Sequence, residues 1–285
     1  MNEQALKERI KNISQIEGKE FGEIWRLLVL ERFLSRISNS DHRDHFIFKG
    51  GLLLSHYVKI GRETKDVDFL ANKIIADIPN IKQAFTQICA IKIDDGFTFD
   101  LFEITTLEQP HMNYPGYRVI LDLKFGQKMK DKIQVDVGVG DIVDSKIELL
   151  ELYQYKGKPI FEGEITLQVY PVETIFAEKL ETISSKGAAN SRMKDFHDLF
   201  ILCREKSLLD ISKVKNDIDK TFHHRNTKKD LPVKFDAGDL IAMQVLWAAH
   251  LRRLGKIVKE LSIPNSLESV VTEINNWLKK NNIIQ

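Results

Sequence analysis

The feature of this sequence that most constrains its fold is a pair of glycines between two apolar runs. Gly50 and Gly51 follow the apolar residues 46–48 and precede the leucines 52–54. Two adjacent glycines let a backbone turn sharply and approach a ligand closely. If a helix begins at Leu52, the N–H groups of this turn lie at a helix N-terminus, where phosphate binds readily.

An acidic pair follows these glycines after a short segment. Asp66 and Asp68 are separated by one residue, so on a strand both carboxylates point to one face. Val67 and Phe69 then pack on the opposite face. Neighbouring carboxylates repel each other, and a divalent ion with a bound triphosphate offsets this repulsion, because Mg²⁺ prefers carboxylate and phosphate oxygens.

A third acid, Asp136, lies in an alternating segment over residues 132–138. The alternation predicts a strand that places Asp136 opposite the core, where it reaches the same metals. Three converging carboxylates would hold two ions for in-line phosphoryl or nucleotidyl transfer. A Gly-Gly pair alone is usually a turn, and Asp-x-Asp alone is common by chance, so the prediction depends on their combination.

Two later segments add charged residues in apolar surroundings. A helix from Val172 would place Lys179 within its apolar stripe, and no residue three or four positions from Lys179 is acidic. A lysine in that position requires a charged partner or an anionic ligand, unless its stem extends towards solvent. Asp195 and Asp198 are three residues apart and share a face of the next predicted helix.

Together these motifs resemble those of the nucleotidyltransferase AbiEii/AbiGii toxin family. The matching segments are Lys49-Gly50-Gly51, Arg62-x-Thr64-x-Asp66-x-Asp68 and Arg192-x-Lys194-Asp195-x-x-Asp198. The resemblance covers most of the chain, from the N-terminal helices past Pro232. It implies an α+β fold with a polymerase-β-like nucleotidyltransferase core, a mixed sheet flanked by helices, over residues 1–165. A mostly helical domain over residues 166–285 is expected to complete the active-site cleft.

The resemblance also implies roles for the acids and for one lysine. Asp66 and Asp68 would bind Mg²⁺, and Asp136 would bind metal or act as the base for an acceptor hydroxyl. Lys179 would hold triphosphate charge. Asp195 is the first choice for the aspartate that completes the active site. Asp198 is the second choice, because it could instead orient Arg192 or Lys194.

The nucleotide-binding residues implied by the resemblance are Lys49, Gly50, Gly51, Ser55, Arg62, Lys179 and Asp198. Arg62 either contacts the substrate or forms a salt bridge that orients Asp66 or Asp68. The chain departs from many nucleotidyltransferases at Leu52, where they carry Ser or Thr directly after the glycines. Phosphate binding would then depend on backbone N–H groups, with Ser55 or Lys49 as helpers.

The function implied is that of a toxin in a toxin–antitoxin or phage-defence system. It would move a nucleoside monophosphate from an NTP to an acceptor hydroxyl on RNA, such as tRNA, and a cognate antitoxin would neutralise it. Two alternatives stay open: an enzyme that modifies a small molecule such as an antibiotic, and a non-catalytic binding protein with the same fold. A lysine-rich hairpin over residues 124–132 either contacts RNA or is simply solvated.

Composition limits the partners and the compartment. The net charge of +1 over 285 residues implies no global affinity for polyanions, so any nucleic-acid surface must be a local patch. The two cysteines, Cys89 and Cys203, indicate a reducing compartment without a disulfide framework. The N-terminus lacks a signal-peptide pattern and the chain lacks an apolar run of membrane-spanning length, so we expect a cytoplasmic protein without a membrane partner.

Overall fold

The computed structural model describes residues 1–108 and 115–285. The chain forms two compact units: the first comprises Met1–His56 and Glu63–Tyr170, and the second comprises Tyr57–Arg62 and Pro171–Gln285. The short segment that carries Arg62 thus belongs with the second unit. The predicted cleft between an N-terminal core and a C-terminal domain stays a prediction.

The elements up to residue 170 begin with two helices, continue with strands and helices in turn, and end with a run of strands. In chain order they are α1 (Glu3–Glu17), α2 (Phe21–Ser38), β1 (Phe46–Lys49), α3 (Gly50–Tyr57), β2 (Asp66–Ala71), α4 (Ile78–Ala90), β3 (Phe97–Leu107), β4 (Gly116–Phe125), β5 (Met129–Gly138), β6 (Lys146–Leu150), β7 (Gln154–Tyr155), β8 (Lys158–Pro159) and β9 (Ile165–Val169). The helix after the paired glycines begins at Gly50, two residues before the predicted start at Leu52.

Seven of these strands form one mixed sheet in the order β3-β4-β5-β2-β1-β9-β6. β2 pairs in parallel with β5, and β1 pairs in parallel with β9. The other neighbouring strands in this sheet are antiparallel. The predicted α+β class, with a mixed sheet flanked by helices, is confirmed.

The alternation of buried and half-buried residues along β2 and β5 follows the predicted period of two. Val67 and Phe69 are fully buried, whereas Asp66 and Asp68 are half-buried on the opposite face. On β5 the buried residues are Met129, Ile133, Val135 and Val137, and the last three alternate with half-buried neighbours. Because side chains on a strand alternate between faces, the apolar positions direct the acids away from the core.

The second unit is helical, as predicted. Its helices are α5 (Val172–Lys186), α6 (Met193–Arg204), α7 (Ile211–His224), α8 (Ala237–Leu254), α9 (Ile257–Glu260) and α10 (Leu267–Lys280). α5 packs against α6 and α7, and α10 packs against α6 and α8. Fully buried large side chains, Phe176, Phe196 and Trp247, fill the interior of this unit. Across residues 1–108 and 115–285, we find no helix with both the length and the apolarity that a membrane crossing requires.

A buried ion pair joins α2 to the loop before β3. Two guanidinium nitrogens of Arg36 lie 2.8 and 2.9 Å from the two carboxylate oxygens of Asp95. Arg36 also donates to the carbonyl of Phe97, and Asp95 accepts from the Phe97 amide. Both side chains are almost fully buried. Removal of either partner would leave an uncompensated charge in the interior, which is strongly destabilising.

We therefore expect Asp95→Ala to lower the free energy of unfolding by about 3–5 kcal/mol, because Arg36 would stay buried without its partner. Urea denaturation measures this loss. The matched control is Asp94→Ala, at the exposed neighbouring residue, which should change stability by no more than about 0.5 kcal/mol. Equal losses in the two variants would contradict this explanation.

Candidate active site

Three aspartates converge on the outward face of the sheet in the first unit. Asp68 on β2 is paired directly with Asp136 on β5, and Asp66 lies two residues before Asp68 on the same strand. One carboxylate oxygen from each of the three lies within 4.8 Å of the others. The structure thus brings together the three acids for which the sequence predicted a common metal site.

The chemistry of this cluster fits a hard divalent cation. Its ligand atoms are carboxylate oxygens, which Mg²⁺ prefers, and each acid is half-buried and therefore reachable. Like charges at this separation raise the free energy of the protein unless a cation offsets them. Asp66, Asp68 and Asp136 are therefore the residues that could hold a metal.

Gly50 lies directly against the metal-site acid Asp68. The antiparallel pairing of β1 with β2 places Lys49 opposite Asp68, and Gly50 follows with φ of +79°. A Cβ atom at residue 50 would collide with the Asp68 carboxylate. Glycine is therefore required here both for its positive φ and for the room it leaves beside the acid.

The other predicted phosphate-binding residues of this unit lie around the same turn. Gly51 is in the first turn of α3. The hydroxyl of Ser55 donates to the carbonyl of Leu52 at 2.6 Å. The ammonium of Lys49 lies 3.0 Å from a carboxylate oxygen of Asp141, and it also contacts Tyr170. The helper roles of Ser55 and Lys49 in phosphate binding stay predictions.

Sequence reasoning missed Arg118, which holds one of the three acids. Its Nε and Nη2 atoms donate to the two oxygens of Asp136 at 2.9 and 2.8 Å, and Gln134 donates to the second of these oxygens at 3.3 Å. These hydrogen bonds from Arg118 to Asp136 raise the pKa of the guanidinium above its ordinary value. The only sequence signal was the outward position of Arg118 on an alternating strand, and its partner follows from the register of β4 and β5.

A second charged cluster lies within the second unit. The ammonium of Lys179 lies 3.1 Å from Asp195 Oδ1 and 2.6 Å from Asp198 Oδ2. Arg62 binds both oxygens of Asp198, from Nε and Nη2, each at 2.7 Å. The charged partner that the sequence required for Lys179 is therefore supplied by two aspartates of α6.

The sequence offered Asp198 as a partner for Arg192 or Lys194, but the structure pairs Arg192 with Asp195 instead. Arg192 directly precedes α6, and its Nε lies 3.0 Å from Oδ2 of Asp195 in the first turn of that helix. Arg192 and Asp195 are three residues apart, a spacing that places two side chains next to each other along a helix. Asp198 instead binds Arg62 and Lys179. Among the residues that the structure describes, Asp195 Oδ2 has this ion pair but no aligned hydrogen-bond donor.

Burial and charge act in opposite directions on the pKa values of this cluster. Burial alone would lower the pKa of Lys179, but the charges of Asp198 and Asp195 outweigh it and raise that pKa above its ordinary value. Burial would likewise raise the pKa of Asp198, yet Lys179 and Arg62 hold it well below its usual range. Both side chains are therefore charged at neutral pH.

Two neutral histidines support the segment that carries Arg62. His197 Nε2 lies 2.7 Å from the carbonyl oxygen of Ile60, and His250 Nε2 lies 3.2 Å from His197 Nδ1. Burial lowers the pKa of both imidazoles, that of His250 to about 4. Neutral rings fit a chain in which His250 donates to His197 and His197 donates to Ile60. This contact fixes the backbone two residues before Arg62.

Comparisons with known proteins give a family and a fold. A family model described as "Nucleotidyl transferase AbiEii toxin, Type IV TA system" matches residues 32–270. Among solved structures, the chain is similar to MenT4, a nucleotidyltransferase toxin from Mycobacterium tuberculosis H37Rv, with a TM-score of 0.58 and 16% sequence identity over 97% of this chain and 90% of that chain. It is also similar to JHP933 from Helicobacter pylori, with a TM-score of 0.43 and 13% identity over 88% and 89% of the two chains. None of the curated proteins matches the sequence.

The likeness to MenT4 extends over nearly the whole chain and shows a shared fold. With the family match over residues 32–270, the predicted nucleotidyltransferase fold is confirmed. The family match likewise confirms the resemblance that the glycine and aspartate motifs indicated.

We expect Gly50→Ala to destabilise the protein more than Gly157→Ala does. Both glycines have positive φ, which costs a residue with a Cβ about 1–2 kcal/mol, but only residue 50 faces the Asp68 carboxylate. The collision should add about 1–3 kcal/mol to the loss of unfolding free energy, measured by urea denaturation. Equal losses at the two positions would show that the approach to Asp68 is not the cause.

We expect Asp198→Asn to cost about 3–5 kcal/mol of unfolding free energy at pH 7, because Lys179 and Arg62 stay buried with less compensation. The folded pKa of Asp198 is lowered, so its contribution is present above the unfolded pKa of about 3.9 and is lost as pH falls towards the folded value. The difference between wild type and variant should therefore shrink below about pH 4.

Urea titrations at pH 7, 4 and 3 measure this change. Asp219→Asn is the control, since Asp219 pairs with Lys229 at the surface and should contribute little at any pH. A wild-type-to-variant difference that stays constant down to pH 3 would contradict the assignment.

Proposed function

The chain belongs to the AbiEii family of nucleotidyltransferase toxins of type IV toxin–antitoxin systems, and from this premise we propose that it transfers a nucleoside monophosphate from an NTP to an acceptor hydroxyl with the help of Mg²⁺. The observation that carries the proposal is the convergence of Asp66, Asp68 and Asp136 on one face of the sheet. Like-charged carboxylates are costly to hold together, and nucleotidyl transfer provides the cations and phosphates that compensate them.

The three aspartates have different roles in the proposed reaction. Asp66 and Asp68 hold Mg²⁺, and Asp136 either binds metal as well or accepts the proton of the acceptor hydroxyl. When bound, the metal neutralises phosphate charge and orients the reacting groups for in-line displacement. Pyrophosphate leaves as the new phosphodiester bond forms between the α-phosphorus and the acceptor oxygen.

The triphosphate is expected to lie against the turn at Gly50 and Gly51. Backbone N–H groups at the start of α3 would donate to a phosphate bound there, and the helix dipole favours negative charge at that end. Gly50 also lies against Asp68, so phosphate oxygens bound at this turn are close to the proposed metal ligands. Lys49 and Ser55 flank the same turn and are proposed as secondary contacts.

The charged cluster of the second unit is proposed to contribute to nucleotide binding through its own charge. Three cations, Arg62, Lys179 and Arg192, contact the carboxylates of Asp195 and Asp198. Lysine and arginine are the residues that hold triphosphate charge in phosphoryl transfer. Lys179 is the first candidate to bind the triphosphate.

Of the two aspartates, Asp195 is the one proposed to act in the reaction. Both oxygens of Asp198 accept hydrogen bonds from Arg62, which makes Asp198 a positioning residue for Arg62 and Lys179. Asp195 Oδ2 has no aligned hydrogen-bond donor within residues 1–108 and 115–285, so this oxygen can still accept one.

RNA is the proposed acceptor, with tRNA as the first candidate, and a cognate antitoxin is the proposed partner. Three exposed lysines support an RNA acceptor. Lys124 on β4 lies directly opposite Lys130 on β5, and Lys128 lies in the turn between these strands. Like charges directly opposite on neighbouring strands are destabilising, and a polyanion relieves them. We place the reaction in the cytoplasm, as part of toxin–antitoxin or phage defence.

Radiolabel transfer tests this function. Purified protein is incubated with Mg²⁺, total tRNA and each NTP in turn, labelled at the α-phosphate. We expect label in RNA with wild type and a loss on the order of a thousandfold with Asp66→Asn or Asp68→Asn, because metal contacts supply several kcal/mol of transition-state stabilisation. Asp122→Asn is the control and should retain activity, because Asp122 is a partly exposed acid on β4 that is paired with Lys132.

If no label enters RNA but wild type binds an NTP with Mg²⁺ and Asp66→Asn or Asp68→Asn does not, the acceptor is not RNA, and the alternative of an enzyme that modifies a small molecule is favoured. If no acceptor takes label and wild type binds no NTP with Mg²⁺, the proposed function is wrong and the non-catalytic alternative stands.

A further inference from the structure

The contact between Arg118 and Asp136 occupies the acid that the metal centre needs. The guanidinium meets the carboxylate side-on, with one nitrogen on each oxygen at 2.9 and 2.8 Å. Gln134 donates a third hydrogen bond to the same group. A cation that approaches Asp136 therefore meets a positive charge already bound to both oxygens, and the two compete for one carboxylate.

We propose that Arg118 is a built-in counter-ion of the metal centre, which holds Asp136 until a divalent cation displaces it and thereby lowers the affinity of the centre for that cation. The inference rests on the proposed function, since it takes Asp66, Asp68 and Asp136 as the metal ligands. The role of Arg118 can be tested apart from that function, because it predicts which variants bind the divalent cation more tightly and not which variants are active.

The displaced guanidinium has a natural second partner in a phosphate oxygen. A guanidinium forms the same planar, bidentate hydrogen bonds with a carboxylate and with a phosphate. The side chain of Arg118 is 37% exposed, and its backbone lies between the buried residues Tyr117 and Val119. The base of the side chain is thus held firmly, while its charged end is free to turn from Asp136 towards a substrate phosphate.

The same two strands carry a second cross-strand ion pair that serves as a matched comparison. Lys132 on β5 lies 3.0 Å from Asp122 on β4, and both side chains are well exposed. Lys132 is four residues from Asp136, about 13 Å along a strand. That distance exceeds the screening length of about 8 Å at physiological ionic strength. Loss of the Lys132 charge should therefore leave metal binding unchanged.

The experiment is a calorimetric titration of the full chain with Mn²⁺ or Mg²⁺ alone, without nucleotide. The variants are Arg118→Gln, Arg118→Lys, Lys132→Gln and the double variant Asp66→Asn/Asp68→Asn. We expect Arg118→Gln to bind the cation about fivefold more tightly or better, the factor that corresponds to a partly exposed ion pair of about 1 kcal/mol. Arg118→Lys keeps the charge without the planar fork, so its affinity should lie between wild type and Arg118→Gln.

The outcomes separate this inference from the proposed function. Tighter binding by Arg118→Gln, with Lys132→Gln equal to wild type, supports the inference, and a gain of affinity cannot arise from misfolding. Binding by wild type that is lost in the double variant but not increased in Arg118→Gln overturns the inference and leaves the metal site standing. If the double variant still binds the cation, the metal site and the inference are both wrong. The same holds if neither wild type nor Arg118→Gln binds the cation.

Discussion

The parallel pairing of β2 with β5 is the constraint on which the first unit depends. This register sets Asp68 beside Asp136 and so concentrates three carboxylates within 4.8 Å on one sheet face. The neighbouring features follow from that concentration of charge. Residue 50 must be glycine because the Asp68 carboxylate fills the space where a Cβ would lie. Arg118 binds Asp136 because an uncompensated acid beside two others would be costly.

The two charged clusters of the chain differ in composition. In the first unit, carboxylate oxygens of Asp66, Asp68 and Asp136 lie within 4.8 Å of one another, and Arg118 binds Asp136. In the second unit, Lys179 contacts both Asp195 and Asp198, Arg62 binds Asp198, and Arg192 binds Asp195. The proposed nucleotidyl transfer assigns a divalent ion to the first cluster and phosphate charge to Lys179 of the second.

Two buried ion pairs connect elements that are distant in sequence. Arg36 and Asp95 join α2 to the loop before β3, and Arg62 and Asp198 join a short segment to α6. Because a charge loses its hydration when buried, such a pair is tolerated only when both partners are held in good geometry. The His250–His197–Ile60 contact holds the backbone beside Arg62, so it contributes to that geometry.

The sequence by itself predicted the strands that carry the acids, the shared face of Asp66 and Asp68 and the outward direction of Asp136, because a period of two is a local property that fixes direction. The α+β class was predicted from the resemblance of the motifs to a known family, and the register of β2 and β5 brought Asp136 beside Asp68. It also showed that Lys179, within an apolar stripe, needed a charged partner or an anionic ligand. Only the tertiary structure decided which partners these charges take: Arg118 for Asp136, and Arg62 with Lys179 for Asp198. These pairs join residues distant in sequence, so they depend on strand register and helix packing, which no local pattern encodes.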